Sequence, residues 1–163
     1  MLLRSLAFLA LFALLQLSWQ ALRGTAAEHF IIHDCTVVPA AQLVRILTPQ
    51  VQVRAAERSL KAPGGGLNIL NGCEGMEALL LLTAAFAVAP IPWRERLKGL
   101  LLGMVVVFFV NQMRILLLFY GYRANPAWFD ALHATITPIG VILAVSAYFY
   151  AWLLHSRRPT PAR

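Results

Sequence analysis

Four apolar runs with few or no charges dominate this chain: Leu2 to Leu22, Met76 to Ile91, Leu97 to Tyr120 and Ala131 to Leu154. Inside a bilayer every backbone N–H and C=O must be satisfied within the protein, so such runs resolve into helices. A spanning helix needs about 20 predominantly apolar residues, which the third and fourth runs supply. The second is short because Pro90 and Pro92 stop it, although the residues around Gly75 extend it at the other end. Charged side chains make up only 13% of the 163 residues, against about 25% in a soluble domain. The expected fold is therefore an all-α polytopic membrane protein with about four transmembrane helices.

The first run has two readings. It is a transmembrane helix over residues 1–22, or Arg4, the apolar stretch and Thr25-Ala26-Ala27 form a signal peptide with a small-residue cleavage site. Under either reading the segment after it is exported. Arg94, Arg96 and Lys98 crowd the link between the second and third runs, and Arg157, Arg158 and Arg163 close the chain. By the positive-inside rule these segments face the cytoplasm. Residues 23–72 then form an exported loop region, 73–154 a three-helix core and 155–163 a cytoplasmic basic tail. Alternation at Val51 and Val53 and again at Leu67 and Ile69 predicts a short β-hairpin turned by Pro63-Gly64-Gly65-Gly66. The net charge of +7 reads as membrane topology. Nucleic acid is excluded as a partner, because no basic stripe is interleaved with stacking aromatics.

Within this frame a few polar residues stand out. Cys73 follows Gly72 and precedes the second run, so its thiol sits at a helix N-terminus, where the dipole and free amides favour a thiolate. Glu74 and Glu77 oppose that charge. Gly75 keeps the first turn slim enough for another segment to approach. Asn111 and Arg114 share a helical face, and Arg114 lies about 9 Å along the axis from Tyr120. The plainer reading of Arg114 is snorkelling to the interface, but Asn111 and Gln112 lie deeper and call for a polar cavity or bundle interior. His133 opens the fourth run, with Thr137 and Gly140 further along the same face.

Cys35 could pair with Cys73 in an oxidising compartment. His29, His33, Asp34 and Cys35 have ligand types at metal-like spacing, yet a structural zinc site needs a further close partner, so no metal and no cofactor is assigned. Gly99 and Gly103 form a small-xxx-small packing motif. Trp19, Trp93, Trp128 and Trp152 are placed at membrane interfaces.

Asn71-Gly72-Cys73-Glu74-Gly75, Asn111-x-x-Arg114 and His133 resemble, in order and spacing, the signature of the exosortase/archaeosortase family. The likeness covers roughly Leu67 to Tyr150 and is similar to the compact exosortase types. The resemblance implies a cysteine protease or transpeptidase of the bacterial inner membrane, with its site on the outer side and 73–154 as catalytic core. It implies Cys73, Arg114 and His133 as catalytic residues, with Asn111 and Gly75 orienting them or the substrate; Glu74, which the family pattern does not assign, is read as an orienting residue from its place beside the thiol. The implied partners are exported proteins carrying a C-terminal motif, a transmembrane helix and a basic tail, together with membrane lipid. Water or a lipid-linked acceptor would resolve a thioacyl intermediate. Two rivals remain at this point: a four-helix thiol-disulfide oxidoreductase using Cys35 and Cys73, and a non-catalytic membrane assembly factor or substrate-binding protein.

Overall fold

A computed structural model describes residues 2–69 and 72–156. Five helices follow in chain order: α1 (Leu2–Ala21), α2 (Ala26–Leu47), α3 (Met76–Val88), α4 (Trp93–Ala124) and α5 (Pro126–Ser156). Among the described residues four of them, α1, α2, α4 and α5, are long and apolar enough to cross a membrane. The protein is a multi-pass membrane protein.

The 32-residue α4 is the spine. Both α3 and α5 run antiparallel to it, and small residues let them come close. A Cβ on Gly99 would lie 2.6 Å from Phe86 of α3 and 2.6 Å from the Trp152 indole of α5. One on Gly103 would lie 2.5 Å from Leu82 and 3.0 Å from Tyr148. Dispersion and shape drive helix association in lipid, and here they are reinforced by hydrogen bonds. Tyr148 donates to Gly99 O at 2.5 Å and Trp152 Nε1 to Glu95 O at 3.0 Å. Arg96 closes the other end of α3, donating to Ala87 O at 2.7 Å and Ile91 O at 3.0 Å. The packing role expected of Gly99 and Gly103 is thus realised.

The second expected span departs from its reading. Helix α3 holds 13 residues, or about 20 Å, short of the ~30 Å hydrocarbon core. Pro90 and Pro92 stop it at one end. At the other, Gly72 and Gly75 adopt positive φ of 92° and 85°, so the chain turns there instead of continuing a helix.

The stretch 23–72, expected as a loop region, is a correction of larger scale: α2 fills nearly half of it. His29, His33 and Asp34 break its apolar pattern and Pro39 reads as a stop. The backbone carries the helix through by widening into π-helical turns over Phe30–Val37, with Pro39 placed at the start of the following α segment. Helix α2 is tied to the rest of the fold on both sides. Its start follows Trp19, which bonds the turn before α3; beyond its end, the Thr48 hydroxyl lies 2.8 Å from Tyr120 Oη.

The rest of the segment forms a three-stranded antiparallel sheet in order β1 (Arg54–Ala56), β2 (Ser59–Lys61), β3 (Leu67–Asn68). The glycine turn lies between β2 and β3 as expected, but the first strand starts after Val53, with Val51 in a 3₁₀ turn. Arg123 at the end of α4 holds the Gly-rich turn, donating to Pro63 O at 2.8 Å and Gly65 O at 3.0 Å. The inner face of α2, the sheet and the C-terminal half of α4 share one apolar core containing Ile32, Val44, Leu60, Ile115 and Phe119. The basic tail Arg157, Arg158 and Arg163 lies outside the described residues, as does Asn71.

Candidate active site

Cys73, Arg114 and His133 meet. Cys73 stands in the left-handed turn before α3, Arg114 on the spine and His133 near the start of α5. The Cys73 sulfur lies 3.6 Å from His133 Nδ1 and 3.7 Å from Arg114 Nη2. Cys73 is buried, with 4% of its surface exposed.

Arg114 is anchored on every nitrogen. Nη1 donates to Gly72 O at 2.8 Å, Nε to Thr137 Oγ1 at 3.2 Å, and Nη2 faces the sulfur. The residue is 9% exposed, which rules out snorkelling. Among the described residues no carboxylate forms a salt bridge with it. A buried guanidinium without a counter-ion is costly, and its charge is directed at the thiol.

The turn carrying Cys73 is held from three sides. Asn111 Nδ2 donates to Cys73 O at 3.1 Å. The Glu74 carboxylate is buried and accepts from Gly72 N at 2.6 Å and from the Trp19 indole at 3.2 Å. Gly75 is needed for two reasons: its φ is 85°, and a Cβ there would lie 2.9 Å from Asn111 Cγ. The close approach read for Gly75 is therefore to the Asn111 side chain. Trp19, expected at the membrane interface, is instead 6% exposed and belongs to this assembly; Trp93 and Trp128 are exposed at 71% and 60%.

His133 sits in a π-helical stretch, Leu132–Ile136, a widened turn of the kind that re-aims side chains. Its ring lies parallel to Phe129, centroids 5.4 Å apart at 6°. Thr137, one turn on, supplies the hydroxyl that accepts from Arg114. Gly140, read on the same face, has open space around its Cα.

Burial is the main influence on the Cys73 thiol and pushes it above its ordinary range. Arg114 pulls it down, while Glu74 and Glu77 push it up. Desolvation disfavours the thiolate and outweighs the pull of Arg114. The resting group is a neutral thiol with a base in reach. A cleft of about 260 Å³ opens beside it, bordered by Gly72, Gly75, Glu77 and Arg114 and continuing between Phe12 of α1 and Val141 of α5.

Cys35 and Cys73 are both free thiols, so the disulfide weighed from sequence is not formed. His29 and His33 rings lie 5.2 Å apart, and His33 Nδ1 is 2.8 Å from Glu57 O. No group of three or more His, Cys, Asp or Glu gathers among the described residues.

A family model described as Transmembrane exosortase (Exosortase_EpsH) matches residues 1–153. Searches of curated proteins and of solved structures give no match.

Proposed function

Since the chain belongs to the transmembrane exosortase family, we propose that it is a membrane-embedded cysteine protease or transpeptidase that cleaves the C-terminal sorting signals of exported proteins. The observation that carries this reading is the convergence of Cys73, His133 and Arg114 from three separate segments. A neutral imidazole takes the Cys73 proton through Nδ1, and the sulfur attacks the scissile carbonyl. The oxyanion that develops is met by Arg114, whose Nη2 already faces the sulfur. The tetrahedral species collapses, His133 returns the proton to the leaving amine, and a thioacyl enzyme remains. Water or a lipid-linked acceptor then takes the acyl group, with His133 as base.

Asn111, Gly75 and Glu74 fix the turn and so the position of the sulfur. The substrates are proteins with a short motif, a transmembrane helix and a basic tail, the motif entering the cleft beside Arg114. The basic link at Arg94, Arg96 and Lys98 supports, by the positive-inside rule, a cytoplasmic position for that end of the spine and a site on the outer, periplasmic side of a bacterial inner membrane.

The test is co-expression with a tagged candidate substrate carrying such a signal. The wild type should shorten it, and Cys73→Ala and His133→Ala should leave it full length. Cys35→Ser should process normally, which separates this reading from a disulfide oxidoreductase. Unchanged processing in both the Cys73→Ala and His133→Ala proteins would refute the mechanism.

A further inference from the structure

The amides of Asn111 and Gln112 are oriented by their donors. Asn111 Nδ2 donates to Cys73 O at 3.1 Å and Gln112 Nε2 to Thr36 O at 3.4 Å. A carbonyl only accepts, so each side-chain oxygen must be the atom left over. Both oxygens are buried and, among the described residues, have no hydrogen-bond partner. The two side chains are 3% and 2% exposed. Buried carbonyls without donors are costly and call for an explanation.

Both residues line a cavity of about 320 Å³ between α2, α3 and α4. Its walls are apolar, formed by Ile31, Leu79, Val107 and Phe108. Met104 and Phe108 stand at its rim and are exposed on the outside of α4, so the cavity opens toward the acyl chains. Glu74 completes the polar end. Its carboxylate already accepts two hydrogen bonds and has lone pairs to spare. Among the described residues no Lys, Arg or His lines the cavity, and Arg114 borders the separate cleft beside Gly72.

Asn111, Gln112 and Glu74 border this end, so the acceptors gathered there are two unpartnered amide oxygens and one carboxylate. Phosphate or carboxylate would be repelled there. A quaternary ammonium brings charge without N–H groups, and a hydroxyl brings one donor without charge. A primary ammonium brings three donors and a positive charge. We propose that this cavity binds the primary ammonium of an amphiphile in which the amine is borne directly on an apolar chain. The nitrogen bonds Asn111 Oδ1, Gln112 Oε1 and Glu74, and the chain lies along Leu79, Val107 and Phe108 and leaves past Met104. Cys73 does not line the cavity, so the site goes beyond the peptide chemistry and stands without it.

The experiment uses purified full-length protein in neutral detergent and dodecylamine as probe, with dodecyltrimethylammonium and 1-dodecanol as matched controls. Bound probe is counted by native mass spectrometry, with the thermal unfolding midpoint followed alongside. Dodecylamine should bind at one saturable site, and the controls at least tenfold more weakly. Gln112→Leu should weaken dodecylamine at least tenfold. Met104→Trp, which obstructs the rim and leaves the amides alone, should do the same and carries the test should Gln112→Leu fail to fold. Equal binding of the trimethyl analogue or of the alcohol, no saturable binding, or undiminished binding to a folded Gln112→Leu or Met104→Trp protein would each overturn the proposal.

Discussion

The Cys73 sulfur lies 3.6 Å from Nδ1 of His133, across 60 residues of sequence. The contact needs three things: a left-handed turn before α3, a widened turn at the start of α5, and a spine that holds both. Cys73 is buried, so it should behave as a shielded thiol with an imidazole in reach.

That gives an accessibility and pH prediction. In a Cys35→Ser background, alkylation of Cys73 by iodoacetamide should accelerate as pH rises, because burial keeps the thiol protonated at neutral pH. Arg114→Ala removes the influence that lowers the thiol and should slow alkylation at any given pH. Glu77→Gln removes one that raises it and should speed alkylation. Mass-spectrometric time courses read all three, and an Arg114→Ala protein that alkylates faster would contradict the electrostatic picture.

Gly75→Ala should cripple the site without removing any polar group. The left-handed backbone alone costs about 1–2 kcal/mol for a residue with a Cβ, and the new carbon would sit 2.9 Å from Asn111 Cγ. Gly75→Ala combined with Asn111→Ala should relieve the clash but keep the backbone cost, giving an intermediate unfolding midpoint. Gly140→Ala, with open space at its Cβ, should stay within about 0.5 kcal/mol of wild type.

Trp19→Phe keeps an aromatic ring and deletes the indole N–H that reaches Glu74. A hydrogen bond to a charged group contributes about 1.5–3 kcal/mol, so thermal stability should fall measurably. Processing of a substrate should fall with it, because Glu74 also holds Gly72 N. Unchanged stability would mean that the carboxylate finds another donor.

Gly99→Leu and Gly103→Leu should force α3 and α5 off the spine, since even a Cβ at these positions would meet neighbours at 2.5–2.6 Å. The expected readout is lower yield of folded protein and an unfolding midpoint below that of the Gly140→Ala control.

Orientation has its own check. In a Cys35→Ser, Cys73→Ser background, Lys61→Cys should react with a membrane-impermeant maleimide on intact spheroplasts, while Lys98→Cys should react only after lysis. The reverse pattern would put the site on the cytoplasmic face.

The residues of the candidate site were conspicuous in the sequence because charge and amide groups inside apolar runs stand out: Asn111, Arg114 and His133 have few competitors for attention. Four of the five helices were readable too, as apolar runs. Less visible were contacts between residues that look ordinary in their own surroundings. Trp19 and Glu74 are 55 residues apart, and a tryptophan near a helix end reads as an interfacial anchor. Thr137 carried only a facial hint, one turn after His133. Helix α2 was hidden because its polar residues and Pro39 mimic a loop, and the π-helical turns that carry the chain through have no periodic signature. The thiol's resting state also ran against the sequence reading, since desolvation depends on how many neighbours cover the sulfur.

The length of α4 ties the two ends of the molecule together. Gly99, Gly103, Val107, Asn111 and Arg114 are all buried on this one continuous helix, so the seam that seats α3 and α5 shares an angular phase with the groups that hold Cys73. One inserted residue between Gly103 and Asn111 would swing everything beyond it by roughly 100°, pointing the guanidinium away from the sulfur while the lower half still packed. The spacer can therefore drift freely in composition on its lipid side, but its residue count is locked to the helical repeat.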